Sequence, residues 1–144
     1  MAIGIERFRG DYFFLSNFAP CNIIYEGKTY RTVEHAFQAA KTLNEEERKI
    51  FRHVHEPADA KRWGRQVTLR EDWESVRTQV MYELVKQKFQ NPVYKEKLLS
   101  TGSCTLVEGN THKDTFWGVY NGSGKNMLGK ILMKVRNELQ EDCE

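Results

Sequence analysis

The stretch YRTVEHAFQAAKTL, Tyr30 to Leu43, decides how the chain is read. Val33, Ala36, Phe37 and Ala40 recur at steps of three and four, the spacing of one helical face. Thr32, just ahead of them, is a residue type that caps helix N-termini with its hydroxyl. The helix also carries Glu34, Gln38 and Lys41 at i, i+4 and i+7, which is a single stripe on the helix surface. Charged residues on a helix ordinarily face water. Here apolar neighbours flank the stripe closely, and a carboxylate and an amine in such surroundings acquire the shifted pKa values that catalytic groups use. His35 lies off the stripe and is expected to be structural.

Outward from this helix, the preceding thirty residues read as strand and turn. IERF and NIIYEGKTY are rich in β-branched and aromatic residues, with EGK as the hairpin turn. After it come NEEERKIFRHV, capped by Asn44, and EPADAKRWGRQV, with Pro57 near its start and Gly64 near its end. The longest helix is expected in EDWESVRTQVMYELVKQKFQ, with Trp73, Val76, Val80, Leu84 and Phe89 on its buried side. Pro92 opens another helix, stopped by Gly102; CTLVEG reads as a short strand; NMLGKILMKVRNEL closes the chain as an amphipathic helix. The fold class is mainly α, formally α+β. A small antiparallel β element is expected from the first thirty residues and from residues near 104–120. With no repeat or linker, residues 1–144 are expected to form one domain.

Composition narrows the function classes. The formal net charge is only +2, too little to argue for a broad nucleic-acid-binding face. Cys21, Cys104 and Cys143 form no CxxC pair and no metal-like spacing with histidine, so reduced thiols and a cytoplasmic location are expected. The N-terminus has no signal-peptide pattern, and no apolar run suits a membrane span. The absence of HExxH, GxSxG and a dinucleotide fingerprint speaks against metalloprotease, serine-hydrolase and dehydrogenase chemistry; neither metal nor cofactor is expected.

A second group of candidate residues lies in the loop from Glu108 to Asn126, where glycines allow close backbone approach and Asp114 precedes Trp117 by three residues. Trp63 sits among cations in KRWGR, and Phe14 adjoins the irregular LSNF segment with Asn17.

Taken in order, YFFLSNFAP, YRTVEHAFQAAK, AKRWGRQV, DWESVRTQVM, LLSTG, LVEGN, DTFWG and GKNMLGKILMKVR resemble the NADAR family of YbiA-like proteins from about residue 11 to about residue 139. The resemblance implies the family's mainly α fold and an N-glycosidase that splits the bond between ribose C1 and nitrogen. Two substrates are implied: phosphoribosylamino-pyrimidine intermediates of riboflavin biosynthesis, or ADP-ribose on guanine in DNA. The alternative is a non-catalytic module binding ADP-ribose or NAD metabolites. On the resemblance, Lys41 is the amine nucleophile of a Schiff-base route, and Glu34 and Asp114 are the acid/base carboxylates, which would equally serve direct C1–N cleavage through an oxocarbenium-like cation. Trp63 and Trp117 would stack on the base or shape its pocket, Phe14 would be a further substrate contact, Asn17, Gln38, Glu108 and Asn126 would orient ribose hydroxyls, and Arg62, Arg65 and Lys125 would bind phosphate. The loop Gly118–Asn126 is shorter than in many family members, which bears on pocket size.

Overall fold

The computed structural model describes residues 4–142. It separates into two compact units, Asn17–Lys88 and the pair of segments Met1–Ser16 with Phe89–Glu144. Cys143 lies outside the described residues; Cys21 and Cys104 are free thiols.

The unit Asn17–Lys88 begins with an antiparallel hairpin, β1 (Ile23–Tyr25) and β2 (Lys28–Tyr30), in register Ile23↔Tyr30, Ile24↔Thr29 and Tyr25↔Lys28. Its turn residues Glu26 and Gly27 both have positive φ, 47° and 81°. That is the twist a two-residue hairpin loop requires. Glu26, without glycine's freedom, is held by an ion pair to Arg48. The outer edge of β1 is closed by the Gln87 carboxamide, which accepts from the Ile24 N–H at 2.6 Å and donates to the Ile24 carbonyl at 2.8 Å. One side chain thus satisfies the edge groups that would otherwise template pairing with another chain.

Helix α1 (Val33–Ala40) follows, and α2 (Glu45–His53), α3 (Pro57–Trp63) and α4 (Trp73–Lys88) each pack on it. All eight residues of α1 are buried, so this helix has no solvent face. Ala36, Ala39 and Ala40 carry too little side chain to hold neighbours away, and Phe37 meets Trp73 with ring centroids 5.0 Å apart. Asn44 caps α2 by accepting from the Glu47 N–H at 3.2 Å, and Pro57 occupies the first turn of α3, where a missing N–H costs nothing. On α4, Trp73, Val80 and Leu84 are buried as expected. Val76 is half-buried, and Phe89, though fully buried, follows the helix rather than belonging to it.

The other unit opens with a 3-10 helix over Gly10–Leu15, against which α5 (Pro92–Ser100) packs. The Asn91 side chain caps α5 by accepting from Val93 and Tyr94 N–H groups. Helix α6 (Met127–Asp142) lies against α5, and Leu98, Leu106, Leu128, Leu132 and Val135 form the core. The β contribution expected near 104–120 takes another form. Only isolated bridges occur, Ile5↔Leu106 and Gly109↔Val119 in parallel sense and Tyr120↔Ser123 antiparallel. The reason is competition for backbone groups. Ile5 donates to the Thr105 carbonyl and accepts from the Val107 N–H, and the Asn126 carboxamide takes the next pair, the Leu106 carbonyl and the Glu108 N–H. No run of free groups is left for a ladder.

Candidate active site

The stripe on α1 folds as its spacing implies. Glu34 and Gln38 are 8% and 4% exposed, and the Gln38 Nε2 donates to Glu34 Oε2 at 2.7 Å. The Glu34 N–H, one of the unsatisfied donors of a helix's first turn, is accepted by the Asn17 carbonyl at 3.1 Å. Asn17 is itself buried and donates from Nδ2 to the Met81 sulfur at 3.5 Å. Two candidates read separately in the sequence, Asn17 and Glu34, therefore adjoin one another.

Lys41 caps the C-terminus of α1 and is half-buried. Burial pushes its amine below the ordinary lysine range; Glu34 opposes that shift, while Arg65 and Lys61 add to it. The backbone that carries Lys41 is pinned by Arg70, whose N–H donates to the Lys41 carbonyl at 2.7 Å and whose guanidinium reaches the Ala40 carbonyl at 3.4 Å. Helix α3 and the turn after it contribute the cations. Arg62 and Arg65 are exposed, with Arg62 paired to Asp59, and Trp63 is 45% exposed, a large apolar surface left open to a ligand.

His35 receives its role from the structure. It is fully buried, with Nε2 3.2 Å from the Val54 carbonyl and Nδ1 2.8 Å from the Thr32 hydroxyl. A carbonyl only accepts, so Nε2 carries the proton, and Nδ1 accepts from Thr32. Burial lowers its pKa, in keeping with a neutral ring. It joins the start of α1 to the end of α2.

The remaining candidates belong to the other unit. Asp114 Oδ1 accepts from the N–H groups of Phe116 (3.1 Å) and Trp117 (2.9 Å), and the Asn110 carboxamide holds both the N–H and the carbonyl of Asp114. The carboxylate is oriented by its own turn, and Trp117 stands edge-on to Phe116 at 4.8 Å. Lys125 lies over the Phe116 ring at 5.6 Å. Both polar ends of the Asn126 side chain are engaged with backbone, so it builds the loop; the half-buried Glu108 is tied to it through its own N–H. Phe14 is buried, with the Lys97 amine 5.9 Å from its ring centroid.

Sequence reasoning missed Asn110, Arg70 and the Thr32–His35 pair, whose partners are set by folding. It read Gly64 only as a helix terminus. Among the described residues, no three His, Cys, Asp or Glu side chains gather to hold a metal ion. No described helix is long and apolar enough to cross a membrane. A groove of about 430 Å³ bordered by Ile24, Tyr25, Arg70, Val80, Glu83 and Gln87 contains none of the candidate residues. The Glu34–Gln38–Lys41 cluster holds a buried carboxylate beside an amine of lowered basicity. Such a pair can supply a neutral nucleophile and a proton carrier to an electrophilic carbon.

The comparisons with known proteins agree on one relationship. The NADAR domain matches residues 6–140. The N-glycosidase YbiA of Shigella boydii serotype 4 is 45% identical over 133 residues, covering 90% of this chain and 82% of the relative. The riboflavin biosynthesis protein VVA0006 of Vibrio vulnificus is 42% identical over 132 residues, which are 89% of this chain and 36% of that longer protein. The NMR structure of Escherichia coli YbiA superposes with a TM-score of 0.85 at 41% identity, covering 99% of this chain and 89% of that one.

Proposed function

The chain belongs to the NADAR family and is a hydrolase of N-glycosyl bonds, and from that premise we propose that it cleaves the C1–N bond of phosphoribosylamino-pyrimidines, releasing ribose 5-phosphate and the free amino-pyrimidine. The observation that carries the substrate choice is that nearly this whole chain corresponds to about a third of a protein named for riboflavin biosynthesis. The cytoplasm is the compartment this reading assigns, in keeping with the free thiols of Cys21 and Cys104.

Chemistry links that substrate to the α1 cluster. A sugar on an exocyclic amine is a glycosylamine, and it opens to an imine at C1. The neutral Lys41 amine adds to C1. The C1–N bond to the base then breaks, the base leaves as an amine after taking a proton, and C1 stays joined to Lys41 Nζ as a Schiff base. Water hydrolyses that bond and returns the lysine and the sugar aldehyde. The lowered basicity of Lys41 supports its role as nucleophile. Glu34, buried and held by Gln38, is the proton carrier in this scheme. Trp63, left partly exposed, is the proposed stacking face for the base, and Arg65 with Arg62 the proposed phosphate site; the sugar-orienting role of Asn17 and Gln38 rests on the family resemblance. Asp114 is the second candidate carboxylate, a role that rests on the family resemblance.

The test is turnover with each substrate class. The protein is expected to release ribose 5-phosphate from the phosphoribosylamino-pyrimidine. Release of ADP-ribose from modified DNA in place of that activity would overturn the substrate choice. Calorimetric binding of ADP-ribose with no base released from either substrate would overturn the enzymatic reading.

A further inference from the structure

Gly64 ends α3 with φ −59° and ψ −20°, an ordinary right-handed conformation that every residue type adopts. Nothing in its backbone calls for glycine. The space around it does call for glycine. A Cβ at this position would stand 2.7 Å from Cδ and 3.3 Å from Cγ of Gln38, and closer still to Oε1. The clash involves the carboxamide and the carbon before it, not a loose tip. Gln38 is 4% exposed, so its side chain has no open space to swing into. The same carboxamide donates to Glu34 Oε2 at 2.7 Å, and its Oε1 is buried with no hydrogen-bond donor among the described residues. Van der Waals contact with the bare Cα of Gly64, not a competing hydrogen bond, therefore seats the oxygen end of Gln38 while the nitrogen end holds the carboxylate.

We propose that Gly64 is a positioning residue of the active site: by leaving its Cβ space to Gln38, it keeps the Gln38 carboxamide on Glu34 and so sets the direction in which the carboxylate points. The consequence for turnover rests on the reading that Glu34 works in catalysis; the steric statement does not. In Gly64→Ala the Gln38 side chain must leave Glu34, and the carboxylate loses a donor that favours its charged form. We expect kcat/KM to fall by about 100-fold, chiefly in kcat, as expected when a reacting group is misplaced by about 1 Å. The kcat/KM–pH profile should shift as well, because the charge on Glu34 bears on the neighbouring Lys41 amine. Gln38→Ala, which removes the donor without a clash, should reproduce both effects. In the Gln38→Ala background the added methyl has room, so Gly64→Ala should cost nothing further.

The experiment is this double-mutant cycle with Glu34→Gln as reference, together with the Gln38 side-chain amide resonance in a nitrogen-15 spectrum. A non-additive cycle, and a Gln38 amide that shifts and loses protection from exchange in Gly64→Ala, support the proposal. If Glu34→Gln is inactive while Gly64→Ala keeps the wild-type rate and pH profile, or lowers activity equally in both backgrounds, the proposal is overturned. If Glu34→Gln stays fully active, the catalytic reading of Glu34 has failed, and the resonance alone decides. An unchanged Gln38 amide in Gly64→Ala then overturns the positioning role.

Discussion

Replacing Thr32 by valine keeps the shape of the side chain and removes its hydroxyl. In the folded protein that hydroxyl accepts from the His35 N–H at 3.1 Å and lies 2.8 Å from His35 Nδ1. The first bond caps α1, and losing such a cap costs about 1 kcal/mol. The second loss leaves Nδ1 of a fully buried ring without a donor, at a cost of about 1–3 kcal/mol. Together Thr32→Val should lower stability by about 2–4 kcal/mol. At an unfolding entropy of about 2.1 cal/mol/K per residue, a chain of 144 residues loses about 3.3 °C per kcal/mol, so the melting temperature should fall by about 7–13 °C. Differential scanning calorimetry reads this directly, and Thr32→Ser, which keeps the hydroxyl, should recover most of the loss. A Thr32→Val melting point within about 2 °C of wild type, less than one lost cap would cause, would refute the assignment of the Nε2–H tautomer and of the Thr32–His35–Val54 connection.

Two further predictions concern stability against pH, and one concerns the loop. Lys88 is almost fully buried and its pKa is pushed down by burial to about 7, against 10.5 in an unfolded chain. Between these values the unfolded chain holds a proton the folded one lacks, so stability rises with pH; from pH 7 to pH 9 the gain over Lys88→Met should be about 2 kcal/mol by urea unfolding. Equal pH slopes in the two proteins would exclude a deprotonated Lys88. Above pH 9 the trend should weaken, because burial raises the Cys21 thiol pKa and the folded state then holds the extra proton. His35 acts on the acid side: its folded pKa lies below the unfolded value of 6.5, so wild type should lose stability as pH falls through 6.5, and His35→Gln should lose less over the same range. Asn110→Ala removes both bonds that hold the Asp114 backbone, and should cost about 1–3 kcal/mol of stability while loosening the 114–117 turn, seen as faster amide exchange at Phe116 and Trp117.

The sequence made local features legible. Thr32 and Asn44 each cap the helix they precede, and the EGK turn closes the hairpin between Tyr25 and Lys28. The Glu34–Gln38–Lys41 stripe followed from helical geometry alone, because residues four apart on a helix must adjoin. What stayed hidden depends on partners far along the chain. The segment near 104–120 has strand-like composition, but Ile5 and Asn126 take the backbone groups a ladder would need. That apolar neighbours flank the α1 stripe was legible; that α2, α3 and α4 pack on the helix and every one of its residues is buried was not. Gly64 looked like a helix stop, and only the position of Gln38, 26 residues earlier in the chain by the numbering, reveals why a side chain is excluded there.

The central claim is that the half-buried amine of Lys41 attacks the sugar. Borohydride added during turnover of the phosphoribosylamino-pyrimidine, followed by peptide mass spectrometry, tests it most directly. A reduced ribose 5-phosphate adduct is expected on the peptide carrying Lys41, and none in Lys41→Met. Sustained turnover with no adduct at Lys41, or with the adduct on another lysine, would contradict it.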